Sequence, residues 1–277
     1  MVGNKLDIII YDTTLRDGSQ GEGIAFSSDD KLKIVKRLDE LGISYIEGGW
    51  PGSNPKDMDF FREVKNLELK NSKITAFSST RKPSISISQD SNLKSLIESG
   101  VSVATIVGKT WDFHVHRALE TTLEENLSMI RDTVAFLKDK GLEVMFDAEH
   151  FFDGYKNNQD YALSVLMAAA ESGVDWLILC DTNGGTMPWE VADIVPAIKT
   201  ITTIPLGVHF HNDAGCAVSN SLIAIQNGCT QVQGTINGFG ERCGNADLCA
   251  VSPSLELKMG KNCLPPDNLK SLTEVSH

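Results

Sequence analysis

A polar run, Tyr11-Asp12-Thr13-Thr14-Leu15-Arg16-Asp17-Gly18, breaks out directly after the apolar segment Ile8-Ile9-Ile10. Barrels and open sheets place their chemistry where buried strands end, so Arg16 and Asp17 are the first candidates for a charged pair that acts on a ligand. The second signal is Gly207-Val208-His209-Phe210-His211-Asn212-Asp213. On a strand, residues two apart face the same way, so His209 and His211 can turn both imidazoles to one metal while Val208 and Phe210 pack outward. The competing reading is a pair of structural histidines that only make hydrogen bonds. A further pair, His114 and His116, lies in Gly108-Lys109-Thr110-Trp111-Asp112-Phe113-His114-Val115-His116. That stretch reads as a loop or helix start, where residues two apart do not share a face. The pair is therefore set aside as a metal site; His114 keeps a substrate-side role and His116 reads as solvated surface.

Gly238-Phe239-Gly240-Glu241-Arg242-Cys243-Gly244-Asn245 has three glycines in a short space, which lets backbone approach a ligand closely. Asn245 stands where an amide oxygen could complete a metal sphere. Asp17, His209, His211 and Asn245 together offer one carboxylate, two imidazoles and one amide oxygen. Such a mixed set suits Mn²⁺, Mg²⁺ or Zn²⁺ acting as a Lewis acid, whereas a structural zinc would recruit thiolates. Glu47, Glu149 and Thr182 also end apolar runs. Each alone fits helix capping as well as catalysis; their convergence on one barrel face favours the second.

These residues need a scaffold, and the sequence repeats one strand-then-helix unit eight times. Expected strands are Asp7–Tyr11, Ser44–Glu47, Ile74–Ser78, Ser102–Val107, Glu143–Asp147, Trp176–Cys180, Leu206–His209 and Gln231–Ile236. Expected helices cover Lys31–Leu41, Lys56–Asn66, Asn92–Ser99, Thr121–Lys140, Asp160–Ser172, Pro188–Lys199, Ala214–Gln226 and Asn245–Met259. Eight such units mean a parallel sheet, and in about 250 residues they give a closed (β/α)8 TIM barrel of the α/β class, with an open doubly wound sheet as runner-up. The catalytic barrel is expected over 1–260. The polar, proline-rich stretch 261–277 is expected to begin a further, shortened segment.

A net charge of -12 with no basic patch argues against a nucleic-acid partner. Cys180, Cys216, Cys229, Cys243, Cys249 and Cys263 form no CxxC pair, which predicts neither a zinc ribbon nor a disulfide framework and points to a reducing, cytoplasmic compartment. The N-terminus has no secretory pattern, and no apolar run is long enough to span a membrane.

The DTTLRDG opening, the HxHND strand and the GERxGN loop, in this order from Tyr11 to about Met259, resemble the Claisen-type acyl-CoA condensing synthases. These are the 2-isopropylmalate, homocitrate and citramalate synthases, with HMG-CoA lyase as a more distant relative. Glu47-Gly48-Gly49-Trp50-Pro51-Gly52-Ser53-Asn54-Pro55-Lys56-Asp57 looks most like the citramalate branch. The resemblance implies a (β/α)8 barrel that binds a divalent metal through Asp17, His209, His211 and Asn245. It also implies condensation of acetyl-CoA with a 2-oxo acid, pyruvate in this branch, to give (R)-citramalate in branched-chain (isoleucine or leucine) amino-acid biosynthesis. Arg16 would then stabilise the oxygen that gains charge. Thr182 would bind the 2-oxo acid carboxylate, and Glu47 and Glu149 would position arginine and substrate. A homodimer is implied as well. In the family, a histidine and a tyrosine that assist removal of the acetyl-CoA proton lie after the barrel, so this chain alone is expected to be weakly active or inactive. The alternatives are a 2-isopropylmalate or homocitrate synthase, a lyase like HMG-CoA lyase, and a non-catalytic barrel that binds metal and 2-oxo acid.

Overall fold

In a computed structural model, which describes residues 6–53 and 55–277, eight parallel strands close into a barrel in sequential order. Met1 to Lys5, within the expected 1–260 span, and Asn54, in the loop that looks like the citramalate branch, lie outside the described residues. The strands are β1 (Ile9–Asp12), β2 (Tyr45–Glu47), β3 (Lys73–Ser79), β4 (Val103–Lys109), β5 (Glu143–Glu149), β6 (Trp176–Asp181), β7 (Leu206–Phe210) and β8 (Gln231–Gly234). β1 pairs with both β2 and β8, so no edge is left open.

The principal helices are α1 (Ser28–Leu41), α2 (Pro55–Val64), α3 (Ser91–Ser99), α4 (Asp112–Arg117), α5 (Leu123–Asp139), α6 (Phe151–Asn157), α7 (Gln159–Glu171), α8 (Pro188–Ile201), α9 (Ala217–Gln226), α10 (Leu248–Pro253) and α11 (Leu272–Ser276). Local chemistry sets their ends. Ser27 and Asp30 form a reciprocal capping box at the start of α1, and Gly42 in the left-handed conformation ends it. The Thr122 hydroxyl accepts from the Glu125 amide at the start of α5.

Both layers of the sheet are buried, with different contents. Outside the strands lies the main apolar core, which includes Phe60, Phe61, Phe146, Phe151, Phe152 and Phe210. Inside the barrel Tyr11, Tyr45, Val103 and Met145 form a small apolar cluster, with Ile9 and Trp176 packed against it. Thr75, Thr105, Gln231 and Gln233 are fully buried as well. Thr75 and Thr105 meet the Tyr11 hydroxyl, and Gln233 bridges Asp147 and His209, so these groups form a polar network along the barrel axis that supports the site above it.

The elements differ from expectation where turn chemistry intervenes. β8 stops at Gly234, not Ile236, because Ile236–Gly238 turns into a 3-10 segment with Asn237 at positive φ. The last long helix does not start at Asn245: Asp247 caps α10 instead, and a π-turn follows over Ser254–Lys258. α9 starts at Ala217 rather than Ala214, since the Asn212 side chain accepts from the Ala217 amide. Residues 261–277 pack against the barrel: Cys263 and Leu264 are buried, and Asn268 Nδ2 donates to the Glu40 and Leu41 carbonyls at the end of α1. No helix among the described residues is long and apolar enough to cross a membrane.

Candidate metal centre and active site

Beyond β1 the chain turns back on itself and places Arg16 and Asp17 over the barrel mouth. Thr14 Oγ1 donates to the Asp12 carboxylate, and the Arg16 and Gly18 amides both donate to the Thr13 carbonyl. The charged pair therefore sits in a tight turn just past the strand end.

β7 and the residue just beyond it carry His209 and His211 on the inner face, as period-2 geometry requires, while Phe210 packs outward on Phe152 of α6. His209 Nε2 lies 3.2 Å and His211 Nε2 3.8 Å from Asp17 Oδ2. These three buried residues are the metal-capable cluster of His, Cys, Asp and Glu found among the described residues. Burial alone would raise the Asp17 carboxyl, but the Arg16 guanidinium and then His209 outweigh it and hold it well below the usual carboxylate range. His211 is pushed down to about 3, first by burial and then by neighbouring His209, so it is a neutral imidazole with a lone pair to offer. Burial lowers His209 too, but its hydrogen bond and attraction to Asp17 leave it above the ordinary value. An anionic carboxylate between two imidazoles is the donor chemistry a divalent cation requires.

The glycine-rich loop returns Asn245 to this cluster. His211 and Asn245 form an isolated antiparallel bridge. Gly244 has φ +84, and a Cβ there would lie 2.0 Å from the Gly238 carbonyl, so only glycine lets the loop close. Asn245 Nδ2 donates to the Phe239 carbonyl, while its Oδ1 is buried without a hydrogen-bond partner among the described residues. A buried orphan acceptor on a residue bridged to His211 fits a further metal ligand. Arg242 of the same loop ties it down by donating to Asp213 and to the Thr182 carbonyl.

Arg16 is clamped on three sides. Its Nε donates to Glu47 Oε1, its NH1 lies 3.5 Å from Asp17 Oδ2, and its guanidinium carbon sits 4.1 Å from the centre of the Phe77 ring. Glu47 is fully buried beneath it and also accepts from the Tyr11 and Thr13 hydroxyls. Glu47 contacts Arg16 and is not among the residues that line the cavities at the cluster.

A cavity of about 350 Å³ opens above the cluster, lined among others by Arg16, Asp17, Lys109, Glu149, Thr182 and His211. Glu149 ends β5 and forms an ion pair with Lys109, its cross-strand neighbour at the end of β4. Thr182 Oγ1 accepts from the His150 amide at 2.9 Å, which leaves the hydroxyl proton free for a ligand. His114 is not among the residues that line this cavity; it packs on Trp111 and lies edge-on to His150, 4.2 Å between ring centres. Cys180 sits below the cluster, where burial raises its thiol and leaves it inert.

The sequence pattern did not single out Lys109, Phe77 or the buried Gln233. Lys109 stands at the end of β4, a position that by itself could have drawn notice; a lone Gln in a strand gives no such sign.

Residues 7–277 match the family model described as HMGL-like. The chain is 56% identical over 267 residues to a protein named (R)-citramalate synthase from Geobacter sulfurreducens, covering 96% of this chain and 51% of that one. The protein of the same name from Aquifex aeolicus is 55% identical, with 98% and 51% covered. The chain thus spans about half the length of the curated relatives it matches. The solved structure of an HMG-CoA lyase from Brucella melitensis superposes with a TM-score of 0.80 over 98% of each chain, at 18% identity, a likeness of fold alone. Closed barrel, inward-facing donors and matched family model agree: the chain belongs to the HMGL-like family.

Proposed function

We propose that this chain is the metal- and 2-oxo-acid-binding barrel of a citramalate synthase, an enzyme that condenses acetyl-CoA with pyruvate to (R)-citramalate. The observation that carries the reading is the placement of Arg16, held by buried Glu47, beside the Asp17–His209–His211 cluster at one cavity. Relatives of that name, 48% to 56% identical, support the choice of substrates.

Asp17, His209 and His211 would hold a divalent cation, with Asn245 Oδ1 as the fourth donor. Bound there, Mn²⁺, Mg²⁺ or Zn²⁺ supplies Lewis-acid polarisation of the keto group. The chain's own residues do the rest. The 2-oxo acid carboxylate takes a hydrogen bond from the Thr182 hydroxyl, whose oxygen is already turned by the His150 amide. Once a base has taken a methyl proton from acetyl-CoA, the enolate carbon attacks, the keto oxygen gains negative charge, and Arg16 is a fixed cation placed to meet it; water then cleaves the thioester to give citramalate and free CoA. No reorganisation is needed at that moment, because Glu47, Asp17 and Phe77 already hold the guanidinium. Glu149, with Lys109 on one side, is left to orient substrate hydrogen atoms. With the synthase assignment come a cytoplasmic homodimer and a role in branched-chain amino-acid biosynthesis; six free cysteines fit the reducing compartment.

Calorimetric titration of the Mn²⁺-loaded chain with pyruvate, 2-oxoisovalerate and 2-oxoglutarate tests the substrate independently of turnover. Release of CoA followed with a thiol reagent tests the condensation. Pyruvate should bind in preference to the other two; a preference for 2-oxoisovalerate or 2-oxoglutarate would reassign the chain within the family.

A further inference from the structure

Gln233 is fully buried on β8, in register with His209 of β7 on one side and Tyr11 of β1 on the other. Both ends of its amide are engaged. Nε2 donates to Asp147 Oδ1 across the barrel at 3.2 Å, and Oε1 lies 3.0 Å from His209 Nδ1. The order of these contacts matters. Asp147 Oδ1 accepts from the NH2 end of the amide, and this contact turns the amide oxygen toward His209. An amide oxygen only accepts, so His209 Nδ1 must carry a proton. With Nδ1 engaged by Gln233, Nε2 is the ring nitrogen left facing Asp17 and the cluster.

We propose that Gln233, itself oriented by Asp147, is a positioning residue that fixes the His209 ring and its tautomer so that Nε2 is the atom offered to the metal. The inference rests on the reading of Asp17, His209 and His211 as metal ligands. It separates the two imidazoles of the cluster: His211 Nδ1 is buried with no hydrogen-bond partner among the described residues. His209 is thus the preset ligand, and His211 the one free to adjust its ring. The barrel also provides its own control. Gln231 lies two residues earlier on the same strand and is equally buried, but its Nε2 reaches only Met145 Sδ at 3.7 Å and its Oε1 has no partner among the described residues. A general need for buried glutamine would apply to both; a link to the metal applies to Gln233 alone.

Zn²⁺ serves as probe, with affinity read by competition against a chromophoric chelator. Gln233→Leu, which keeps the volume and removes the acceptor, should weaken Zn²⁺ binding by about 10- to 100-fold, the usual cost of losing a partner to a metal-bound histidine. Gln231→Leu should leave the affinity at the parent value. Gln233→Glu should restore most of it, since a carboxyl sharing one proton with Asp147 still presents an oxygen to Nδ1. Long-range ¹H–¹⁵N spectra of the Zn²⁺-loaded parent should show His209 protonated at Nδ1, a result that needs no variant to fold. Equal loss in the Gln231 and Gln233 leucine variants, parent-like affinity in Gln233→Leu, or an unprotonated His209 Nδ1 in the loaded parent would each overturn the assignment. A parent chain that binds no Zn²⁺ would overturn the metal reading and this inference with it.

Discussion

The chain contains the same three-residue pattern twice, His-x-His at 114–116 and at 209–211, and the backbone beneath each decides what it can do. On β7 and its continuation, alternate side chains share a face, and both rings turn their Nε2 atoms toward Asp17. On the short helix α4 the same spacing rotates the second ring away from the first. His114 packs against Trp111 and His150, while His116 is exposed. A donor pattern is therefore only as informative as the secondary structure that carries it.

Substitution separates the two pairs most sharply at the metal. Asp17→Ala or His209→Ala should reduce Mn²⁺ or Zn²⁺ affinity by at least about a hundredfold, more than the loss of a supporting partner costs. His114→Ala and His116→Ala should leave it unchanged. If alanine at His114 matched the effect at His209, the helical pair would have to be counted among the ligands. Next in size is Arg16→Ala. Removing a cation beside Asp17 cannot repel a metal, so metal affinity should survive, whereas the condensation rate in the complete enzyme should fall about 10²- to 10³-fold. Comparable loss of metal in the Arg16 and Asp17 variants would show that the two residues do not divide the work.

Much of this was legible in the sequence because the signals were periodic. Eight strand-and-helix units gave the barrel, and the period of two at His209 and His211 gave the face on which both rings meet Asp17. Elements without a period were lost. α6 and α11, of seven and five residues, are too short to show a helical stripe. Helix starts at Ala214 and Asn245 were placed too early because polar turns, held by the Asn212 and Asp247 side chains, precede the helices. The role of Glu47 was visible only as a strand-end carboxylate. That it grips Arg16 and accepts from Tyr11 and Thr13 requires residues 31 to 36 positions away to meet, which no local pattern encodes.

A smaller effect is expected at Thr182. Thr182→Val keeps the shape but removes both the free hydroxyl proton and the acceptor for the His150 amide. Pyruvate affinity of the metal-loaded chain should drop by about tenfold, the worth of one hydrogen bond to a charged group, with metal affinity intact. Unchanged pyruvate affinity would remove Thr182 from the carboxylate site.

The smallest effect returns to the helical pair and depends on pH. Burial, followed by nearby His150 and Lys109, lowers the His114 imidazole below its ordinary value of 6.5. The unfolded chain, with the ordinary value, then binds the proton more readily than the folded one. Stability associated with this residue is therefore present above the unfolded pKa and is lost as pH falls through it toward the folded pKa. The parent should lose more stability than His114→Asn between about pH 7 and about pH 5, read as the shift of the urea midpoint of the metal-free chain. Metal affinity at neutral pH should be the same in both. Parallel urea midpoints across that range would show that Trp111 and His150 do not shield the His114 ring, leaving it a surface histidine like His116.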